Sequence, residues 1–93
     1  MVTVSGEGSI WANSSELDVG LFGTGELTIS EGGSVSNWSG YIGANNGSSG
    51  TVTVTGEGSI WSNSYGLYVG NSGTGELTVE NGGQVSAGTL YVL

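Results

Sequence analysis

Four apolar–polar–apolar triplets recur along this chain at one fixed step. They are Val2-Thr3-Val4, Leu27-Thr28-Ile29, Val52-Thr53-Val54 and Leu77-Thr78-Val79, each 25 residues after the last. Self-similarity at a period of a few tens of residues restricts a chain to architectures in which one small unit stacks on the next. Such a unit cannot bury an apolar face alone; it does so by covering its neighbour. A second set of apolar positions, Ile10, Val35, Ile60 and Val85, keeps the same step, each two residues after a glycine.

A third set breaks the rhythm. Leu17-Asp18-Val19, Gly40-Tyr41-Ile42, Leu67-Tyr68-Val69 and Leu90-Tyr91-Val92 arrive two residues early in the second and fourth copies. The second copy regains them in the Asn- and Gly-rich stretch 44–50. At twice the step, Gly-Glu-Gly-Ser-Ile-Trp occurs at Gly6–Trp11 and again at Gly56–Trp61. The unit is therefore a pair of unlike coils, and residues 1–93 read as one domain of two tandem units, 1–50 and 51–93.

Each copy holds three short alternating runs, rich in β-branched residues and separated by Gly and Asn clusters, which is the pattern of half-buried strands joined by turns. The expected fold is all-β: a right-handed parallel β-solenoid, three strands per coil, four coils of about 25 residues. Its inward columns would be Val2/Leu27/Val52/Leu77, Val4/Ile29/Val54/Val79, Ile10/Val35/Ile60/Val85 and Val19/Ile42/Val69/Val92. A slip of one residue would turn these outward, so the pattern sets the register.

Composition agrees with stacking and excludes several functions. Hydrophobic residues are 35%, low for an ordinary globular core, and Pro and Cys are absent. There is no Lys, Arg or His, and the formal net charge is −8. Phosphate neutralisation needs basic side chains, so nucleic-acid binding is excluded as a charge-driven function, and docking on anionic lipid is disfavoured. No apolar run of about 18 residues is present, so no helical membrane insertion is expected. Without Cys or His there is no thiolate metal site, no cysteine nucleophile and no Ser-His-Asp arrangement, and no pattern asks for a cofactor.

The carboxylates offer little chemistry. Glu7 and Glu57, like Glu26 and Glu76, stand two coils apart, roughly 9.6 Å at the strand spacing. That is the upper edge of an inverting glycosidase pair, but Gly-Glu-Gly turns face water, and a catalytic acid needs burial. Glu16 and Asp18 are too few for a calcium cage. The chain reads as no enzyme and no metal site.

Surface ladders are the stronger candidates. Thr3, Thr28, Thr53 and Thr78 form one outward column, with Ser5, Ser30, Thr55 and Glu80 beside it. Such ladders steady a sheet; flat threonine columns also resemble ice-binding surfaces. Tyr41, Tyr68 and Tyr91 form an outward column headed by Asp18, and Trp11 and Trp61 share another, with Ser36 expected between them. Stacked aromatics stabilise a solenoid and equally offer a ligand-binding face for a glycan. Asn13, Asn37 and Asn46 each open an Asn-x-Ser sequon, read here mainly as turn formers.

The run Val52-Thr53-Val54-Thr55-Gly56-Glu57-Gly58-Ser59-Ile60-Trp61-Ser62-Asn63-Ser64, with Leu67-Tyr68-Val69-Gly70 and then Gly73-Thr74-Gly75-Glu76-Leu77-Thr78-Val79-Glu80-Asn81-Gly82-Gly83-Gln84-Val85-Ser86, resembles one known repeat. It is the repeat of type V secretion (autotransporter) passenger regions and of exported bacterial proteins with PEP-type sorting signals. The resemblance implies an extracellular or cell-surface β-solenoid, a stalk or adhesin that meets a host surface or glycan, with no catalytic residues. No signal or barrel lies within this sequence, so export would rest on sequence elsewhere. The first and last runs are strands without a polar cap, which predicts either a piece of a longer solenoid or self-association of a subunit through its uncapped end coils. The expected role is a structural or adhesive module; the alternative is a filament built by end-to-end stacking.

Overall fold

A computed structural model describes residues 2–92. Ten strands follow one another: β1 (Val2–Ser5), β2 (Ile10–Ala12), β3 (Glu16–Val19), β4 (Thr24–Ser30), β5 (Ser34–Asn37), β6 (Ser39–Ile42), β7 (Ser49–Thr55), β8 (Ile60–Val69), β9 (Thr74–Glu80) and β10 (Gln84–Val92). Each strand pairs, in parallel, with its counterpart one coil away and never with its neighbour in sequence. One sheet runs β1-β4-β7-β9; the other joins β2-β5-β8-β6-β3, with β10 on β8. The chain is thus a parallel β-solenoid of four coils, as the repeat requires.

Register in the first sheet is that of the sequence repeat. Val2, Leu27, Val52 and Leu77 are in line, and so are Val4, Ile29, Val54 and Val79. Ile29, Val52 and Val54 have no exposed surface. The column Val19/Ile42/Val69/Val92 is also in register. Burial fails only at the ends, where Val2 is 42% and Val79 44% exposed because each lacks a coil on one side.

The second inward column differs from the expected one. Ile10 pairs with Ser34, and Ser34 with Ile60, whereas Trp11, Val35, Trp61 and Val85 lie in line. Ile10 is 72% exposed and Trp61 is fully buried. Val35, not Ser36, therefore stands between the two tryptophans. The cause is a single residue in the first corner. In coil 2, Glu31 and Gly32 both take positive φ, 52° and 89°, and the Gly33 amide donates to the Ser30 carbonyl at 3.0 Å, a tight turn of the mirror-image type. Coils 1 and 3 need one residue more: Gly6-Glu7-Gly8 and Gly56-Glu57-Gly58 end on a serine whose hydroxyl donates back to the strand, Ser59 Oγ to the Thr55 carbonyl at 2.8 Å.

The third strand of each coil is also less distinct than expected. In coils 3 and 4 the second and third runs form continuous strands, β8 and β10, with an irregularity between Ala87 and Thr89. An asparagine corner joins the two runs. The Trp61 indole N–H donates to Asn37 Oδ1 at 2.6 Å, Asn37 Nδ2 to Asn63 Oδ1 at 2.6 Å, and Asn63 Nδ2 to the Ser86 carbonyl at 3.2 Å. Asn37 and Asn63 are buried, so they are core polar residues rather than surface turn formers. Their side chains bind coils 2, 3 and 4 together.

Candidate interaction surfaces

The outward column of the third strand is a stack of rings. Tyr41 and Tyr68 lie 4.7 Å apart at 3°, and Tyr68 and Tyr91 4.5 Å apart at 8°. The parallel register Tyr41↔Tyr68↔Tyr91 forces this contact, since neighbouring strands are about 4.8 Å apart. Gly66 makes room on the same face: a Cβ there would approach the Tyr68 ring at 3.1 Å. Tyr41 and Tyr68 are half-buried and Tyr91, the last ring of the stack, is 41% exposed.

The other aromatic candidates separate. Trp61 has no exposed surface and is a core residue; no ligand reaches it from solvent. Trp11 is half-buried at the coil 1 end. The exposed aromatic pair is a different one, Trp38 and Tyr65, 50% and 62% exposed, with ring centroids 4.9 Å apart and planes at 53°. Tyr65 follows from Trp38 by register, its amide donating to the Trp38 carbonyl at 2.8 Å. Beside Trp38 lies a shallow polar groove of about 140 Å3 formed with Asn13, Ser14, Ser36 and Ser64. Trp38 occupies the corner between β5 and β6, where alternation stops, so the sequence pattern does not set its direction.

Thr3, Thr28, Thr53 and Thr78 are aligned in register on the outer face of the first sheet. Glu26 and Glu76 flank that column on one side, in line with Thr51, and Glu80 interrupts the other. The face therefore carries charges between its hydroxyls. Glu7, Glu57, Glu26 and Glu76 are all exposed, without the burial a catalytic acid needs. Among the described residues no three metal-ligating side chains converge.

Asp18 heads the tyrosine stack and is electrostatically unusual. Its Oδ1 is buried without a hydrogen-bond partner. Burial first, then the hydrogen bond and charge of Glu16, push its carboxyl up to about 6 from 3.8. The Tyr41 hydroxyl is also raised, by burial first and then by Tyr68, Glu16 and Asp18. No cationic side chain exists in the sequence to oppose these shifts. The folded state holds the Asp18 proton more tightly than the unfolded chain. Stability therefore rises as pH falls from about 6 to 3.8 and is lost as pH rises through that window. After allowance for solvent around a partly exposed group, the gain is about 1 kcal/mol. Thermal melts near neutrality and near pH ~4 should show wild type gaining several degrees on acidification. Asp18→Asn should gain measurably less; equal gains would remove Asp18 as a source.

Comparison with protein-family models, curated proteins and solved structures finds no match to this chain.

Proposed function

We propose that this protein is a non-catalytic structural and adhesive repeat module of a bacterial cell-surface or secreted protein. The tyrosine stack carries the reading: three rings, each held within 4.7 Å of the next by backbone register, make a rigid external rib, with no chemistry attached to it. Beside it the exposed Trp38–Tyr65 pair and its polar groove give an amphipathic contact of the kind a glycan ring needs, an apolar face bordered by hydroxyls and amides. The repeat's likeness to secreted passenger regions points the same way.

Two substitutions test the division of labour. Tyr68→Ala removes the central ring and both of its stacking contacts and should cost about 2 kcal/mol in a thermal melt. Trp38→Ala should leave the melt almost unchanged and weaken retention on polysaccharide-coated surfaces. Equal retention of wild type and Trp38→Ala would remove the adhesive part. Turnover of any member of a glycan panel would overturn the non-catalytic part. Antibody labelling of intact producing cells should succeed; labelling only after permeabilisation would overturn the surface location.

A further inference from the structure

The corner that returns each coil to the first sheet is longer in coil 2 than in its neighbours. Gly20 and Gly25, Gly43 and Gly50, and Gly70 and Gly75 bracket it, with residues 21–24, 44–49 and 71–74 between them. The hydrogen bonds show which residues are surplus. Toward coil 1, the Ala44 amide donates to the Gly20 carbonyl at 3.1 Å, Asn45 Nδ2 to the Leu21 carbonyl at 2.8 Å and the Ser49 amide to the Gly23 carbonyl at 3.0 Å. Toward coil 3, the Ala44 carbonyl accepts from the Ser72 amide at 3.3 Å and the Ser48 carbonyl from the Thr74 amide at 2.9 Å. Asn46 and Gly47 take no part. The Ser48 amide closes a β-turn beneath them, donating to the Asn45 carbonyl at 3.0 Å, and the Ser48 hydroxyl donates to the same carbonyl at 2.6 Å. Asn46 and Gly47 are both exposed, and a Cβ on Gly47 would meet nothing within 4 Å. Among the described residues nothing holds the Asn46 carboxamide by a hydrogen bond, whereas Asn45 and Asn71 beside it are both held.

We propose that Asn46 is a site of spontaneous covalent modification, converting through a succinimide to aspartate and isoaspartate. The Gly47 backbone nitrogen attacks Asn46 Cγ. A C–N bond forms, the Cγ–Nδ2 bond breaks, and Nδ2 leaves as ammonia with the proton that Gly47 gives up. Water then opens the ring. Opening at Cγ yields aspartate; opening at the backbone carbonyl yields isoaspartate, whose main chain runs through the former side chain. Only water is consumed. Glycine in the second position favours the attack, because no Cβ shields its nitrogen. The nitrogen must shed its proton first, so mild alkali speeds the step. Residues 20–23 and 70–73, which stack on this corner, carry no titratable group to oppose that. The second Asn-Gly pair, Asn81-Gly82, is guarded. Asn81 Nδ2 donates to Thr55 Oγ1 at 3.1 Å and to Glu80 Oε2 at 3.4 Å. Gly82 lies against Glu57, where a Cβ on it would sit 3.4 Å from Cα and Cγ. Carboxylates this close disfavour the anion that the nitrogen must become. Conversion adds a negative charge to a chain already at −8. Isoaspartate also lengthens the turn between Asn45 and Ser48, whose bonds tie coil 2 to coils 1 and 3. The inference is independent of the adhesive role proposed above.

The glutamates make the test direct. Cleavage after glutamate places Asn46 in the peptide 32–57 and Asn81 in the peptide 81–93. The folded wild type is held in warm, mildly alkaline buffer, and the peptides are followed by mass spectrometry. The mass gain of an amide-to-acid exchange, split into two products of equal mass, is expected in 32–57 several-fold faster than in 81–93, with fragmentation placing it at Asn46. In denaturant the two peptides should convert at comparable rates. Asn46→Gln should remove the fast conversion. A folded chain in which Asn46 stays intact, or in which Asn81 converts as fast, would overturn the proposal. So would the same ratio of rates in denaturant, since the fold would then select nothing. The isoaspartyl product, separated by chromatography, should melt below Asn46→Asp, which carries the same charge on an unaltered main chain; equal melts would overturn the loosening of the corner.

Discussion

Trp61→Ala is expected to cost about 3–5 kcal/mol, the range for deleting a buried tryptophan, and to abolish cooperative folding or lower the melting temperature drastically. The side chain has no exposed surface and packs between Val35 and Val85 of the coils on either side. Its removal also strands Asn37 Oδ1, a buried acceptor that the indole satisfies at 2.6 Å; a buried group left unpaired costs a further ~1–3 kcal/mol. Total stability is on the order of 0.1 kcal/mol per residue, so the loss is comparable with all that a 93-residue chain has. Trp61→Phe keeps most of the packing and should lose about 1–3 kcal/mol, chiefly through the unmet acceptor. Trp11→Ala, in the same local sequence but at an end coil, should cost far less than Trp61→Ala. Thermal melts followed by circular dichroism compare the three. Equal losses at Trp11 and Trp61 would refute the assignment of Trp61 to a sealed interior.

That contrast marks where the sequence is legible. The step of 25 between Val2, Leu27, Val52 and Leu77 is the register itself, because each coil, however its corners divide the residues, returns to the first sheet after the same number of them. The same step between Ile10 and Val35 misleads. The corner of coil 1 holds one residue more than that of coil 2, so alternation shifts phase and Trp11, not Ile10, points inward. Both Ile and Trp are apolar, and hydrophobic pattern alone cannot choose between them when turn length varies. The signal was the difference between Gly-Glu-Gly-Ser and Glu-Gly-Gly-Ser: a Glu-Gly pair that closes a two-residue turn against a glycine-flanked glutamate that does not.

Asn37 shows a second limit. Beside a tryptophan and inside a sequon, it reads as a surface residue, yet only 3% of it is exposed, held by Trp61 and Asn63 from the next coil. Those partners lie 24 and 26 residues away in sequence. Such a pairing becomes visible only once the register is known. The tyrosine stack was legible for the opposite reason: three like residues in one column need nothing but parallel register to meet. Trp38 and Tyr65 were not, since they belong to different coils and to a corner where the coils differ in length by one residue.

The glycines give the sharpest test of the stacked corner, because three of them predict three different outcomes. Gly50→Ala is expected to unfold the chain. A Cβ there would collide with the Val19 carbonyl, lie 2.9 Å from the Gly43 amide nitrogen and 3.0 Å from Ile42 Cγ2. Val19 and Gly43 are themselves joined, the Gly43 amide donating to the Val19 carbonyl at 2.8 Å. A methyl group would therefore wedge apart the hydrogen bond that ties coil 1 to coil 2. Backbone cannot swing aside as a side chain would, and the expected cost is about 3 kcal/mol or more. Gly47 has open space around it but φ of +85°; Gly47→Ala should cost about 1–2 kcal/mol from backbone strain alone. Gly23 has neither contact nor positive φ. Gly23→Ala should be neutral or stabilise by up to about 1 kcal/mol through the unfolded chain. Chemical denaturation of the three variants orders them. A folded Gly50→Ala with a melt close to that of Gly47→Ala would mean the coils are not in contact at this corner, and the inward stacking of Gly25, Gly50 and Gly75 along one line would have to be redrawn.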